Sequence, residues 1–349
     1  MRAKERFLAA LNLSRLNRVP LFEFLDSQVL IEKLTGRWPQ QYKAKDAVEC
    51  SLKLGLDAVW IPFGGGCPGY SINSNSNIYV DEWGTTYKKT EYSWPCDAPI
   101  AYPVKTRKDL QKLKIPDATT SDRLADIQYT LKHVKDKMAV IGGIDGPLTV
   151  VYLMMGYENL SLALYDDPEL VKKMHRLAND FFLEAAKRTI KAGVDVICIA
   201  EDLGFCSGPF FSPSQLREFT FPYLSELIQE VRKQDIPVLL HSDGNLNLIL
   251  EDLVEMGINA LHPLESDADM DLENIKKKYG EKICLVGGIN NQVLTNGTPE
   301  DVKQEVIRVM EIASPGGGYI PTSDCGDWSK AMPLRNIEAV INTVKQFSC

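Results

Sequence analysis

Eight short apolar runs, alternating with segments of helical spacing, constrain this chain more than any other feature. They are RVPLFEF (18–24), DAVWIPF (57–63), AVIGGID (139–145), VDVICIAED (194–202), IPVLLHSD (236–243), INALHPLE (258–265), ICLVGGIN (283–290) and GYIPTSD (318–324). Nearly continuous apolar residues are the mark of parallel strands covered on both faces. The segments between them have helix signals. Residues 167–193 have apolar residues at helical spacing and stop at Gly193. Residues 212–234 begin at Ser212 and carry Pro222, which should bend or break the helix. Thr298 is placed to cap the segment that follows it. Together these features predict an α/β fold, a TIM-like (β/α)8 barrel. A doubly wound open sheet competes, but the chain lacks the glycine-rich phosphate fingerprint that would favour it.

One gap is too long for a single crossover. Residues 64–138 open with GGGCPGYSINSNSN and continue as IYVDEWGTTYKKTEY, which reads as a β-hairpin turning near Trp83 and Gly84. The expected arrangement is one domain over 1–349, with 64–138 inserted over the barrel mouth. The net charge of −8 argues against nucleic acid or an anionic membrane as partner. No apolar run is long enough to span a membrane. The charged N-terminus lacks an apolar signal core and reads as an amphipathic helix. Eight scattered cysteines without a CxxC pair suit free thiols in a reducing, cytoplasmic setting.

In such barrels chemistry sits at the C-terminal ends of the strands. Those ends supply Glu201 and Asp202, then His241 and Asp243, then His262 and Glu265, then Asn290, and finally Cys325. His241 and Asp243 are two residues apart and so share one face of a strand. With Cys325 and either Glu201 or Asp202 they form a donor set suited to Zn²⁺. Glu201, Asp202 and Glu265 are the candidate catalytic acids, and Tyr152, His262 and Asn290 are candidates to bind substrate. Trp83, Tyr87, Trp94 and Tyr157 could also wall an organic molecule. The plain structural alternatives are a His241 that only hydrogen-bonds Asp243, and an Asp243-Gly244 that only makes a turn.

Several stretches carry a resemblance over nearly the full length: DEWGTTY, GPLTVVYLMMGYENL, AGVDVICIAEDLG, FSPSQLREFTFPYLSELI, VLLHSDGN and PGGGYIPTSDC. The chain resembles the uroporphyrinogen decarboxylase superfamily. That resemblance implies a TIM-like barrel and one of two activities. The decarboxylases need no cofactor, and use an arginine-rich segment after the first strand and an aspartate after the second. Here no arginine precedes Arg37 in that segment, and the second run ends in IPFGGGC without an acid. Cys325 also stands where the decarboxylases carry a histidine after the last strand. The second branch consists of zinc methyltransferases that work with corrinoid proteins. Those acting on coenzyme M hold zinc by His-x-Cys after the fifth strand and Cys after the eighth. His241 and Cys325 match; Asp243 stands in place of the first cysteine. A carboxylate there makes the metal harder and more Lewis-acidic, suited to an oxygen or nitrogen leaving group. The resemblance thus implies a methyltransferase moving a methyl group from a small methylated substrate, such as an aryl methyl ether, to the cobalt of a separate corrinoid protein. A cofactor-free decarboxylase and a non-catalytic ligand-binding homologue are the alternatives.

Overall fold

The computed structural model describes residues 1–65, 76–90 and 96–347. Trp94 and most of the 64–77 stretch lie outside them. Among the described residues the main sheet has seven parallel strands: β1 (Ala58–Pro62), β2 (Ala139–Asp145), β3 (Val196–Ala200), β4 (Val238–His241), β5 (Ala260–His262), β6 (Cys284–Val286) and β7 (Tyr319–Ile320). They lie side by side in chain order, as right-handed crossovers through helices require. All residues of β1, β2, β5, β6 and β7 are buried, which accounts for their continuous apolar sequence.

The run at 18–24 is not a strand, which corrects the expected count of eight. It is buried at Val19, Leu21 and Phe22 but makes isolated hydrogen bonds instead of a ladder. The Asp57 N–H donates to the Leu21 carbonyl at 2.7 Å. The Phe24 carbonyl accepts from Trp328 N–H at 3.1 Å, and carboxylates take two of the run's own amides: Leu21 N–H donates to Asp57 at 2.7 Å and Phe24 N–H to Glu23 at 3.1 Å, while Glu23 also accepts from Ser323 N–H at 2.7 Å. Pro20 has no N–H to offer. A segment whose amides are met by side chains forms no ladder. Asp57 is itself buried and paired with Arg6 on the N-terminal helix Ala3–Leu11.

The helices follow their signals. Pro168–Ala192 starts at Asp167, whose side chain accepts from Leu170 N–H, and stops at a left-handed Gly193. The 212–234 segment breaks at Thr220 into Pro213–Phe219 and Phe221–Arg232, with Pro222 in the first turn of the second helix. Thr298 caps Pro299–Ala313 in a reciprocal box with Asp301. Ile78–Val80 and Thr86–Lys88 pair antiparallel, and Ala98–Ala101 adds a third strand. Tyr87 is buried there, stacked on Tyr79, whose hydroxyl donates to Asp97. Trp83 instead packs against Phe181 and Phe182 of the long helix.

His175 is buried in that helix. Its Nδ1 lies 3.0 Å from the Val171 carbonyl and its Nε2 3.2 Å from the Thr220 hydroxyl, a set that fits a neutral ring. Burial lowers its pKa from 6.5 to about 4. The unfolded chain takes up the proton first, so this contribution to stability is present above pH 6.5 and lost as pH falls towards 4. Urea titrations of wild type and His175→Gln are expected to diverge between those pH values, wild type losing roughly 3 kcal/mol more. Parallel curves would show that His175 does not govern this loss.

Candidate active site

Register builds the site. Asp145 of β2 pairs with Ala200 of β3, Ala200 with His241 of β4, and His241 with His262 of β5. These residues form one row across four strands. Side chains repeat with period two, so Asp202 and Asp243 make the next row on the same face. Glu201 and Ser242 belong to the opposite face.

The structure therefore separates two neighbouring acids. Asp202 enters the cavity at the strand ends. Glu201 is fully buried behind it, and its carboxylate accepts from Leu148 and Thr149 N–H, both at 2.9 Å. Those amides open the helix Pro147–Met155, where a carboxylate also complements the helix dipole. Burial raises the Glu201 pKa to about 8, against the pull of these amides.

One ligand-capable group exists among the described residues: Asp202, His241 and Asp243 each offer an atom within 4.8 Å of the others. His241 Nε2 lies 4.0 Å from Asp202 Oδ1, and Asp243 N–H donates to the same oxygen at 3.3 Å. His241 Nδ1 is 2.8 Å from Nδ1 of His262, which is fully buried. Phe24 meets both rings edge-on. Asp243 Oδ1 and His262 Nε2 are shut off from solvent and lack a hydrogen-bond partner. Burial raises the Asp243 carboxyl; His241 opposes this and Asp202 adds to it. Gly326, with φ of 85°, arches over the group, and a Cβ there would come within 3.1 Å of the His241 ring. A His nitrogen, clustered carboxylates and an orphaned buried oxygen fit a divalent metal.

The other expected residues divide. Cys325 lines the same cavity, and its thiol donates to the Asp327 carbonyl at 3.3 Å; burial pushes the thiol up. Tyr152 lines it too, stacked on Tyr157. His262 lies behind His241, outside the cavity lining. Glu265 accepts from Gly244 N–H at 2.9 Å and is likewise not in the lining. Asn290 caps the helix Asn291–Asn296 and donates to Ser266, away from the cavity.

The cavity measures about 350 Å³. Sequence reasoning missed four acids that line it: Asp26, Asp97, Asp145 and Asp327. Asp145 ends an apolar run and was open to the strand-end argument. Asp26 and Asp327 lie just past such runs, and Asp97 comes from the long 64–138 stretch between two of them, to which no strand-end rule applies. Burial raises Asp327, and burial with Asp327 raises Asp26 further.

Comparison with known proteins agrees with this architecture. The chain is 25% identical to the methylcobamide:CoM methyltransferase MtaA of Methanosarcina barkeri, over 97% of this chain and 96% of that one. It is 23% identical to the uroporphyrinogen decarboxylase of Coxiella burnetii, over 71% and 70%. The solved structure of a methyltransferase from Methanosarcina mazei shares the fold, with a TM-score of 0.78, 22% identity and 99% coverage of both chains. Residues 92–347 match the family described as Uroporphyrinogen decarboxylase (URO-D). That match covers well over half of the chain, which therefore belongs to the Uroporphyrinogen decarboxylase (URO-D) family.

Proposed function

We propose that the protein transfers a methyl group from a small methylated substrate to the cobalt of a corrinoid carried by a separate protein. The observation that carries this reading is the convergence of Asp202, His241 and Asp243 at one end of a cavity large enough for a small molecule. These three would hold zinc, with Cys325, which lines the same cavity, as a candidate fourth ligand. When bound, the metal supplies a Lewis acid for an oxygen or nitrogen of the substrate that has a lone pair to offer. Phe24, Trp60 and Tyr152 give the substrate apolar walls. An aryl methyl ether is one donor this reading admits. Full-length similarity to a corrinoid methyltransferase supports it.

Decarboxylation of a polycarboxylate fits less well. Six aspartates and no Lys or Arg line the cavity among the described residues, so a polyanion would be repelled. The test is direct: reduced cob(I)alamin, the full-length protein and a panel of methylated compounds. Loss of the Co(I) absorbance with one donor is the expected result; no loss with any donor, beside tight binding of one, would point to a ligand-binding homologue.

His262 has a defined part in this scheme. With His241 Nδ1–H donating to His262 Nδ1, His241 keeps the Nε2 lone pair for the metal. His262→Leu is expected to weaken zinc binding by about 10–100-fold, and His262→Asn, which can still accept, by much less. Competition with a chromophoric chelator measures both. Equal losses in the two variants would rule out a role for the acceptor.

A further inference from the structure

The walls of the cavity also say what the donor carries. We infer that it is a small organic cation, with its methyl group on a positively charged nitrogen. The transfer step rests on the methyltransferase reading; the binding preference does not.

Six carboxylates line one cavity: Asp26, Asp97, Asp145, Asp202, Asp243 and Asp327. No Lys or Arg does so among the described residues. The stretches outside them, 66–75, 91–95 and 348–349, contain no Lys, Arg or His. A divalent ion at Asp202, His241 and Asp243 leaves Asp26, Asp97, Asp145 and Asp327 around the remaining space. Carboxylates in a confined site favour a cationic guest, because like charges there are poorly screened.

The same walls exclude a second hydrated metal as the main occupant. Phe24, Trp60, Tyr152 and Leu153 face the space beside the acids. Aromatic faces attract alkylated ammonium groups, which shed water easily, whereas a divalent ion holds its water. The volume of about 350 Å³ is roughly ten times that of one water, so an ion alone leaves it unfilled.

The chemistry balances without an acid. The two electrons of Co(I) make the new cobalt–carbon bond and cobalt becomes formally Co(III). The carbon–nitrogen bond breaks, its pair stays on nitrogen, and a neutral amine leaves. No proton has to be supplied. This suits a cavity from which Glu201 and Glu265 are withdrawn onto backbone amides. An aryl ether would instead release a phenolate among aspartates.

The experiment compares choline with 3,3-dimethylbutan-1-ol, its uncharged isostere, by calorimetry on the zinc-loaded full-length protein. Choline is expected to bind at least tenfold more tightly, and the difference to shrink as salt rises. Equal binding, or tighter binding of the isostere, overturns the inference. Methyl transfer to cob(I)alamin is followed in parallel with choline, tetramethylammonium and guaiacol. Transfer from guaiacol without selective choline binding defeats the inference and keeps the methyltransferase reading. Selective choline binding with no transfer from any donor upholds the cation site and defeats that reading.

Discussion

Protein purified without chelator is expected to carry about one zinc per chain, and His241→Ala and Asp243→Ala are each expected to lose it. His241 supplies the one nitrogen in the group and Asp243 the oxygen that has no partner in its absence. Removing either leaves two donors, too few to hold a divalent ion against bulk water, so affinity should fall by roughly 100-fold or more. Methyl transfer should fall with it. Cys325→Ala tests the fourth position: metal content should drop if the thiol turns from the Asp327 carbonyl to the metal, and stay near wild type if it does not. Elemental analysis by mass spectrometry and a cob(I)alamin assay on the same preparations read both quantities. Metal-free wild type that still transfers methyl groups at full rate would end the metal proposal.

Glu201→Gln should behave in the opposite way, keeping its metal and losing stability. Both carboxylate oxygens of Glu201 accept from amides at the start of Pro147–Met155, and no water reaches them. An amide side chain offers only one acceptor, so one backbone N–H would face an NH2 group. A buried donor left unmet costs about 1–3 kcal/mol, and Glu201→Ala, which leaves two, about 2–5 kcal/mol. Gly146 leaves little room for rearrangement, since a Cβ there would already lie 2.3 Å from the Glu201 carboxylate. Urea unfolding with metal analysis separates the two roles. A Glu201→Gln protein as stable as wild type but without metal would make Glu201 a ligand and overturn its assignment to the helix.

The strand signals in the sequence were sound wherever continuous burial demanded them. The run at 18–24 shows the limit: its composition is strand-like, yet Asp57 and Glu23 take the backbone donors that a ladder would have used. Asn290 and Glu265 show the same limit in the site. Each sits at a strand end, as the barrel rule asks, but Asn290 is consumed by the amide of Val293, three residues on, and Glu265 by that of Gly244, past the end of the neighbouring strand.

What the sequence by itself determined was the alternation of buried strands with capped helices, and the placing of His241, Asp243 and Asp202 at strand ends. These depend on side-chain period and local hydrogen bonding, which span only a few residues. What only the tertiary structure decided was the company each group keeps. Ala200, His241 and His262 fall in one row because three strands distant in sequence share a register. That register turns Asp202 inward and Glu201 outward, sets His262 behind His241, and gathers Asp26, Asp97, Asp145 and Asp327 around the same space. Register is fixed by the packing of the whole sheet, so no single stretch of the chain carries it.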